Sequence, residues 1–313
     1  MDAIGVIHNP FARQNLRKKH LAGELKSILK GKGCFFETGH VDELDSLARE
    51  CLAKETGVLG INGGDGSLHA VLTAFIRVYG NTPLPRILIL RGGTMNTVAT
   101  SLNLKGTPFS ILKKWLDSRL DFKKDGDERI LKQATLKIND VYGFIGGAGM
   151  ITRFLDAYYN GESTGAVQAL KMLGRIIPGA VFGSDYVADM FRPVRMRVFH
   201  EGQDLGKSAY TAVLASTVPE AGLGFSLTHR CYEKQGAFHL IAADISPMAL
   251  IPHIGSLWAG KPINHPGFLH HGPSSSVRLE HQGPLRWMID GDMYESDGPL
   301  EISSGPVVEI IDV

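Results

Sequence analysis

The sequence predicts an α/β plus β chain: an N-terminal doubly wound α/β domain with a mainly parallel sheet, followed by a mostly antiparallel β-sandwich domain. Three observations lead there. Residues 1–127 alternate short apolar runs with amphipathic stretches of helical period, and such alternation places crossover helices between parallel neighbours. After the charged, turn-rich stretch 117–129, residues 128–313 change to short strand-like runs separated by turn residues. A chain of 313 residues also suits two cores better than one.

In order, residues 3–7 read as a buried strand stopped at His8-Asn9-Pro10, and residues 16–29 as a helix with Leu21, Leu25, Ile28 and Leu29 on one face. Cys34-Phe35-Phe36 is a brief strand and residues 41–54 a second helix. Val58-Leu59-Gly60-Ile61 then leads through Gly63-Gly64-Asp65-Gly66 into a helix bearing Leu68, Val71, Leu72, Phe75 and Ile76, with Ser67 or Asp65 placed to cap it. The run at 86–90 repeats the pattern, passing through Arg91-Gly92-Gly93-Thr94-Met95-Asn96 into a short helix through Leu102. In open parallel sheets, ligands bind beyond the carboxyl ends of the strands. Asn9 and both glycine turns are therefore expected to converge on one cleft.

In the second half, Asn139-Asp140 reads as a two-residue hairpin connection between strands at 133–138 and 141–145. Further strands are expected at 192–200, 208–216, 236–243, 275–281 and 285–289, and residues 307–311 form a last strand that suits either domain. The exception is 151–186, where Val167, Leu170, Ile177 and Val181 beneath Lys171 and Arg175 read either as an acyl-chain groove or as a helix packed on the sheet, broken at Pro178-Gly179. His265, His270 and His271 fall in a Pro/Gly loop without metal-binding spacing.

Thirty-three basic residues against 32 acidic ones give a formal charge of +1, so no bulk field points to nucleic acid. The three cysteines, Cys34, Cys51 and Cys231, have no paired spacing, which argues against disulfides and for a reducing, cytoplasmic setting. No signal peptide or membrane-spanning run is read, so membrane contact is expected to be peripheral.

Chemistry is expected at the glycine turns. Glycine permits positive φ and close approach of backbone N–H groups, and a helix N-terminus adds free donors and partial positive charge. Gly63, Gly64, Gly66 and Ser67, with Gly93, Thr94 and Asn96, thus describe a phosphate cradle. Asp65 lies inside it, so a Mg²⁺ ion or a substrate hydroxyl proton is needed to relieve its repulsion of phosphate. Taken alone, Asp290-Gly291-Asp292 reads equally well as a hairpin turn, Thr94 and Asn96 as helix caps, and His69 as a solvated or partly packed helix residue.

Asn9-Pro10, Gly63-Gly64-Asp65-Gly66-Ser67, Gly93-Thr94-Met95-Asn96 and Asp290-Gly291-Asp292 follow one another in an order that resembles the diacylglycerol kinase catalytic-domain family of bacterial lipid kinases, sphingosine kinases and ceramide kinases. The resemblance implies ATP and Mg²⁺ in an interdomain cleft and the hydroxyl of a lipid alcohol, such as diacylglycerol or a sphingoid base, as acceptor. It implies Asn9 near the nucleotide's base or ribose, Asp290 as acceptor of the lipid proton, and Asp65 as organiser of the nucleotide and its Mg²⁺. In the sphingosine kinase branch the aspartate at the Asp65 position takes the proton instead. A lipid substrate at a membrane surface follows, and a homodimer is compatible.

Four departures qualify the pattern. Ala70 stands where glutamate is common, Thr97 where aspartate is common and Arg13 where glycine is common, while Gln235-Gly236-Ala237-Phe238-His239 lacks both acids of a structural Mg²⁺ element, so no structural metal is expected. They leave open a catalytically weak or silent nucleotide or lipid sensor. A soluble small-molecule kinase of the NAD kinase type shares the Gly-Gly-Asp-Gly motif, but the Asp-Gly-acid motif and the apolar stretch 166–183 speak against it.

Overall fold

The computed structural model describes residues 3–120, 129–160, 166–222 and 224–313. The chain forms two compact units, Met1–Thr135 with Pro306–Val313, and Leu136–Gly305. The domain boundary read at 127/128 lies outside the described residues.

The first unit runs β1 (Ile4–His8), α1 (Arg13–Arg17), α2 (Leu21–Leu29), β2 (Gly33–Glu37), α3 (Leu44–Ala53), β3 (Val58–Asn62), α4 (Asp65–Tyr79), β4 (Arg86–Ile89), α5 (Thr97–Ser101) and α6 (Pro108–Leu120). Its strands are parallel in the order β2-β1-β3-β4, with Ile4 beside both Gly33 and Val58, and Val58 beside Arg86. Near the C-terminus, Ile310 pairs in parallel with Ile87. Every residue of β1 and β3 is buried, which is why their sequences are almost wholly apolar. On one sheet face Leu21, Leu25 and Leu29 of α2 and Ile111, Leu112 and Trp115 of α6 pack against Ile4, Val6, Val58 and Leu88. The helix expected at 16–29 is in fact two, because the chain leaves helical geometry at Lys18 (φ −116°, ψ 65°). Helix α6 was hidden by the charged stretch that follows it.

The second unit takes up the chain within β5 (Arg129–Ile138) and continues through β6 (Val141–Gly143), β7 (Ile145–Gly149), α7 (Met150–Tyr159), α8 (Ala166–Phe182), α9 (Asp185–Met190), β8 (Val194–His200), β9 (Gln203–Asp204), β10 (Ala209–Tyr210), β11 (Ala212–Ser216), β12 (Phe238–Ala243), α10 (Pro247–Leu250), α11 (Ile254–Trp258), β13 (Phe268–Ser274), β14 (Ser276–His281), β15 (Leu285–Ile289), β16 (Asp292–Ser296) and β17 (Leu300–Asp312). Six antiparallel strands in the order β13-β12-β11-β7-β15-β16 form one layer. The other contains β10, β8, β14 and the first residues of β17. Between them Leu136, Val198, Val277, Leu279 and Ile302 from one layer meet Val213, Phe238, Leu240, Trp287 and Ile289 from the other. That is the expected sandwich.

Two local expectations are corrected. His270 and His271 lie on β13, paired with Ala242 and Ile241 of β12, rather than in a loop. Pro178 does not break α8, which continues to Phe182 and ends at Gly183 (φ 74°). Gly179 is required there by close packing, since a Cβ would lie 2.6 Å from a Val187 methyl. Among the described residues no helix is long and apolar enough to cross a membrane.

Candidate active site

In the first unit the two glycine turns touch. A Cβ on Gly93 would lie 2.4 Å from the Cα of Gly64, and one on Gly63 would lie 2.3 Å from Ser67. Neither Gly63, Gly64, Gly66, Gly92 nor Gly93 has positive φ. Glycine is needed here because backbone passes against backbone, and the positive φ values in the second turn belong to Arg91 (56°) and Asn96 (48°).

Asp65 opens α4, yet neither it nor Ser67 caps that helix; Gly64 stands at the N-cap without a side-chain bond. The Asp65 carboxylate reaches across to α5 and accepts the backbone N–H groups of Thr97 (2.8 Å) and Val98 (3.2 Å). It therefore supplies the side-chain cap that the alternative reading gave to Thr94 and Asn96. Asn96 instead ties the turn to itself, accepting from Gly93 N (3.0 Å) and donating to Gly93 O (2.8 Å). Burial pushes the Asp65 carboxyl above its ordinary value, opposed by the Thr97 and Val98 amides, the Thr97 side chain and the Arg91 charge.

Ser67 accepts a hydrogen bond from Asn9 Nδ2 (2.8 Å), while Asn9 Oδ1 accepts from Phe11 N (2.9 Å). Beneath them is a buried polar group that sequence reading missed. Asn15 donates to the carbonyls of Asn9 (2.8 Å) and Asn62 (3.2 Å), and the Asn62 amide meets His8 Nδ1 at 2.7 Å. Burial holds His8 below its ordinary value, so the ring is neutral and able to accept. The available signal was Asn62 itself, a polar residue ending an otherwise apolar strand. Beside Asn9 and Ser67, a small cleft partly open to solvent is lined by Ile7, Thr38, Val41, Ile61 and Ala70 among others. His69 is fully buried on α4, at 1 % exposure, correcting the solvated reading.

In the second unit Asp290 (φ 46°) and Gly291 (φ 94°) make the turn between β15 and β16, where Ile289 faces Asp292. Two successive positive φ values are those of a type I′ turn, so the hairpin reading of this motif is correct. The Asp290 side chain does more than turn the chain. Only 5 % exposed, it accepts the backbone N–H groups of Phe144 (3.1 Å and 3.0 Å) and Ile145 (2.9 Å) at the joint between β6 and β7. Gly143 keeps that space open, because a Cβ there would lie 2.5 Å from Asp290 Oδ2. Asp292 is exposed.

Asn9, Ser67 and both glycine turns, expected to converge, are local neighbours in the first unit. Thr94 Oγ1, in the second turn, is buried with no protein partner. Backbone N–H groups brought close together at a helix N-terminus are the kind of donors that bind an anion. Among the described residues no three His, Cys, Asp or Glu side chains are arranged to hold a metal ion.

Residues 3–121 match the family model described as diacylglycerol kinase catalytic domain. Over that stretch the chain is similar to this family. The match spans every element that carries Asn9, Ser67 and the two glycine turns. No curated protein sequence matches the chain. Three solved structures from Bacillus anthracis str. Sterne are similar over 100% of this chain and 97% of theirs, one named a diacylglycerol kinase and two provisionally assigned as such. Their TM-scores are 0.67, 0.71 and 0.66 at 13%, 14% and 13% identity, a likeness of fold that extends beyond the family domain.

Proposed function

We propose that the protein is an ATP-dependent lipid kinase that transfers the γ-phosphoryl group to the hydroxyl of a lipid alcohol, with diacylglycerol or a sphingoid base as first candidates. The observation that carries this is the contact between the Gly63-Gly64 and Gly92-Gly93 turns inside the stretch similar to the diacylglycerol kinase catalytic domain, with Thr94 Oγ1 unpartnered beside them. Phosphoryl transfer depends on positioning and charge neutralisation, and Mg²⁺ accompanying the nucleotide would supply charge neutralisation on its phosphates.

The chain's own residues take the remaining roles. The Asn9 and Ser67 side chains border the base and ribose, the glycine turns and Thr94 hold phosphate oxygens, and Asp65 fixes the second turn relative to the first through Thr97 and Val98. Asp290 is assigned as acceptor of the lipid hydroxyl proton, its carboxylate kept in place by the Phe144 and Ile145 amides.

ATP consumption should appear when diacylglycerol, sphingosine, ceramide and monoacylglycerol are offered in detergent micelles, and absence of phosphorylated product from all four would sink the reading. Asp290→Asn should lose turnover, at least a hundredfold, and keep ATP binding; a fully active variant would remove Asp290 from the mechanism. One observation favours a second reading, that of a nucleotide-binding sensor without turnover: both acids are already engaged by backbone amides. ATP binding without product from any acceptor, NAD included, would select it.

A further inference from the structure

Helix α8 presents a face that its own packing does not explain. Among its described side chains, Met172 and Ile176, at 2 % and 7 % exposure, are buried. Flanking these two, Lys171, Arg175, Pro178 and Phe182 follow at intervals of four, three and four residues, one stripe of a helix, and all are exposed. Phe182 is 85 % exposed, Val181 56 % and Ile177 40 %, and Tyr186 on the following helix is 40 % exposed. Large side chains so exposed and so closely grouped mark a contact surface.

Charge selects the contact. Lys171 and Arg175 are the only charged residues of α8. They lie toward its N-terminal end, with the apolar cluster at its C-terminal end. Of the two acids on the next helix, Asp185 and Asp189, the latter is paired with Arg192. With 17 residues, α8 is shorter than the roughly 20 needed to cross a bilayer, and among the described residues no helix qualifies as a span. An apolar edge beside a cationic stripe, on a helix too short to span, suits the interface of an anionic bilayer, with apolar side chains at the acyl boundary and cations at the headgroups.

We infer that the exposed face of α8, formed by Lys171, Arg175, Ile177, Val181 and Phe182 with Tyr186 beside it, docks the protein on the surface of an anionic lipid bilayer. The use of such docking rests on the lipid-kinase reading, since it would deliver the enzyme to its acceptor; the affinity for bilayers does not.

Co-sedimentation of the full chain with vesicles of phosphatidylcholine containing phosphatidylglycerol, against phosphatidylcholine alone, tests it. The unaltered protein should bind the anionic vesicles more tightly and release them as salt is raised. The double variant Val181→Ser, Phe182→Ser should weaken partitioning by about tenfold or more. Lys171→Gln with Arg175→Gln should weaken it by about fivefold per charge and remove most of the salt dependence. Unchanged melting curves would show that the variants fold. Phosphorylation of a dispersed short-chain acceptor should be unaltered in the docking variants.

Equal vesicle binding by the unaltered protein and the apolar variant would overturn the inference. So would a change confined to self-association, seen as dimer becoming monomer in sedimentation velocity, which would make a second copy the occupant. If vesicle binding falls as expected and no acceptor is phosphorylated by any form, the docking surface stands and the kinase reading fails.

Discussion

Asp65 and Asp290 share a chemical position: each is a carboxylate that accepts two successive backbone N–H groups from another segment, Thr97 and Val98 in one case and Phe144 and Ile145 in the other. An amide in place of Asp65 can accept from one N–H but turns a donor toward the other. Asp65→Asn should therefore lower stability by about 1–2 kcal/mol in urea melts and weaken Mg-ATP binding as well; unchanged stability would mean that the cap carries no net free energy. Gly93→Ala should be more damaging to ligand binding than to folding elsewhere. Its methyl would meet the Cα of Gly64 and force the turns apart, at a cost of about 1–3 kcal/mol. Isothermal titration with ATP would read that loss directly. The residue types of these positions were legible in the sequence, but their partners were not. A motif names a carboxylate, and only the fold says which amides it meets.

On strands β12 and β13, His239 and His271 face each other with ring centroids 4.9 Å apart, and His229 lies 5.6 Å from the first and 5.9 Å from the second. His239 accepts the N–H of Arg230 at Nδ1 and is fully buried. Burial, reinforced by His271 and His229, pushes it down to about 3. The unfolded chain binds a proton at this side chain near its ordinary value of 6.5, whereas the folded chain refuses it until about pH 3. Its stabilising effect is thus complete above pH 6.5 and is lost as pH falls below that value, by roughly 1.4 kcal/mol per pH unit. Urea melts at pH 7 and pH 5 should show this acid weakening, and His239→Asn should reduce it while keeping an acceptor for the Arg230 amide. An identical slope in the variant would place the acid sensitivity elsewhere. The cluster escaped sequence reading because its members come from a loop and two strands, brought together by antiparallel register that no local spacing encodes.

For the whole molecule, the last strand is the segment with strand partners in both units. Residues 300–303 pair antiparallel with β14 in the second unit, and Ile310 pairs in parallel with β4 in the first, so one continuous strand contributes to both cores. Val308, Ile310 and Ile311 are each 1 % exposed. Removing residues 306–313 should cost the first unit roughly 1.5–3 kcal/mol for each of these side chains, visible as a lower melting temperature and loss of ATP binding. A shortened chain that binds ATP normally would show that the first unit's sheet does not need this strand. ATP at about a hundred times its dissociation constant should stabilise the intact first unit by about 2.7 kcal/mol.

The sequence by itself determined the two textures of the chain, the parallel order of the first half, and the positions of both glycine turns and both Asp-Gly elements, because hydrophobic period and glycine placement are local properties. It also carried the family likeness over residues 3–121. Tertiary structure decided what those residues touch: that the glycines are needed for backbone contact rather than for positive φ, that Asp65 caps a different helix from the one it begins, and that Asp290 is buried on the amides of another strand. The physical reason is the same throughout. Hydrogen-bond partners and close approaches between segments distant in the sequence are fixed by packing, and packing is a property of the assembled core.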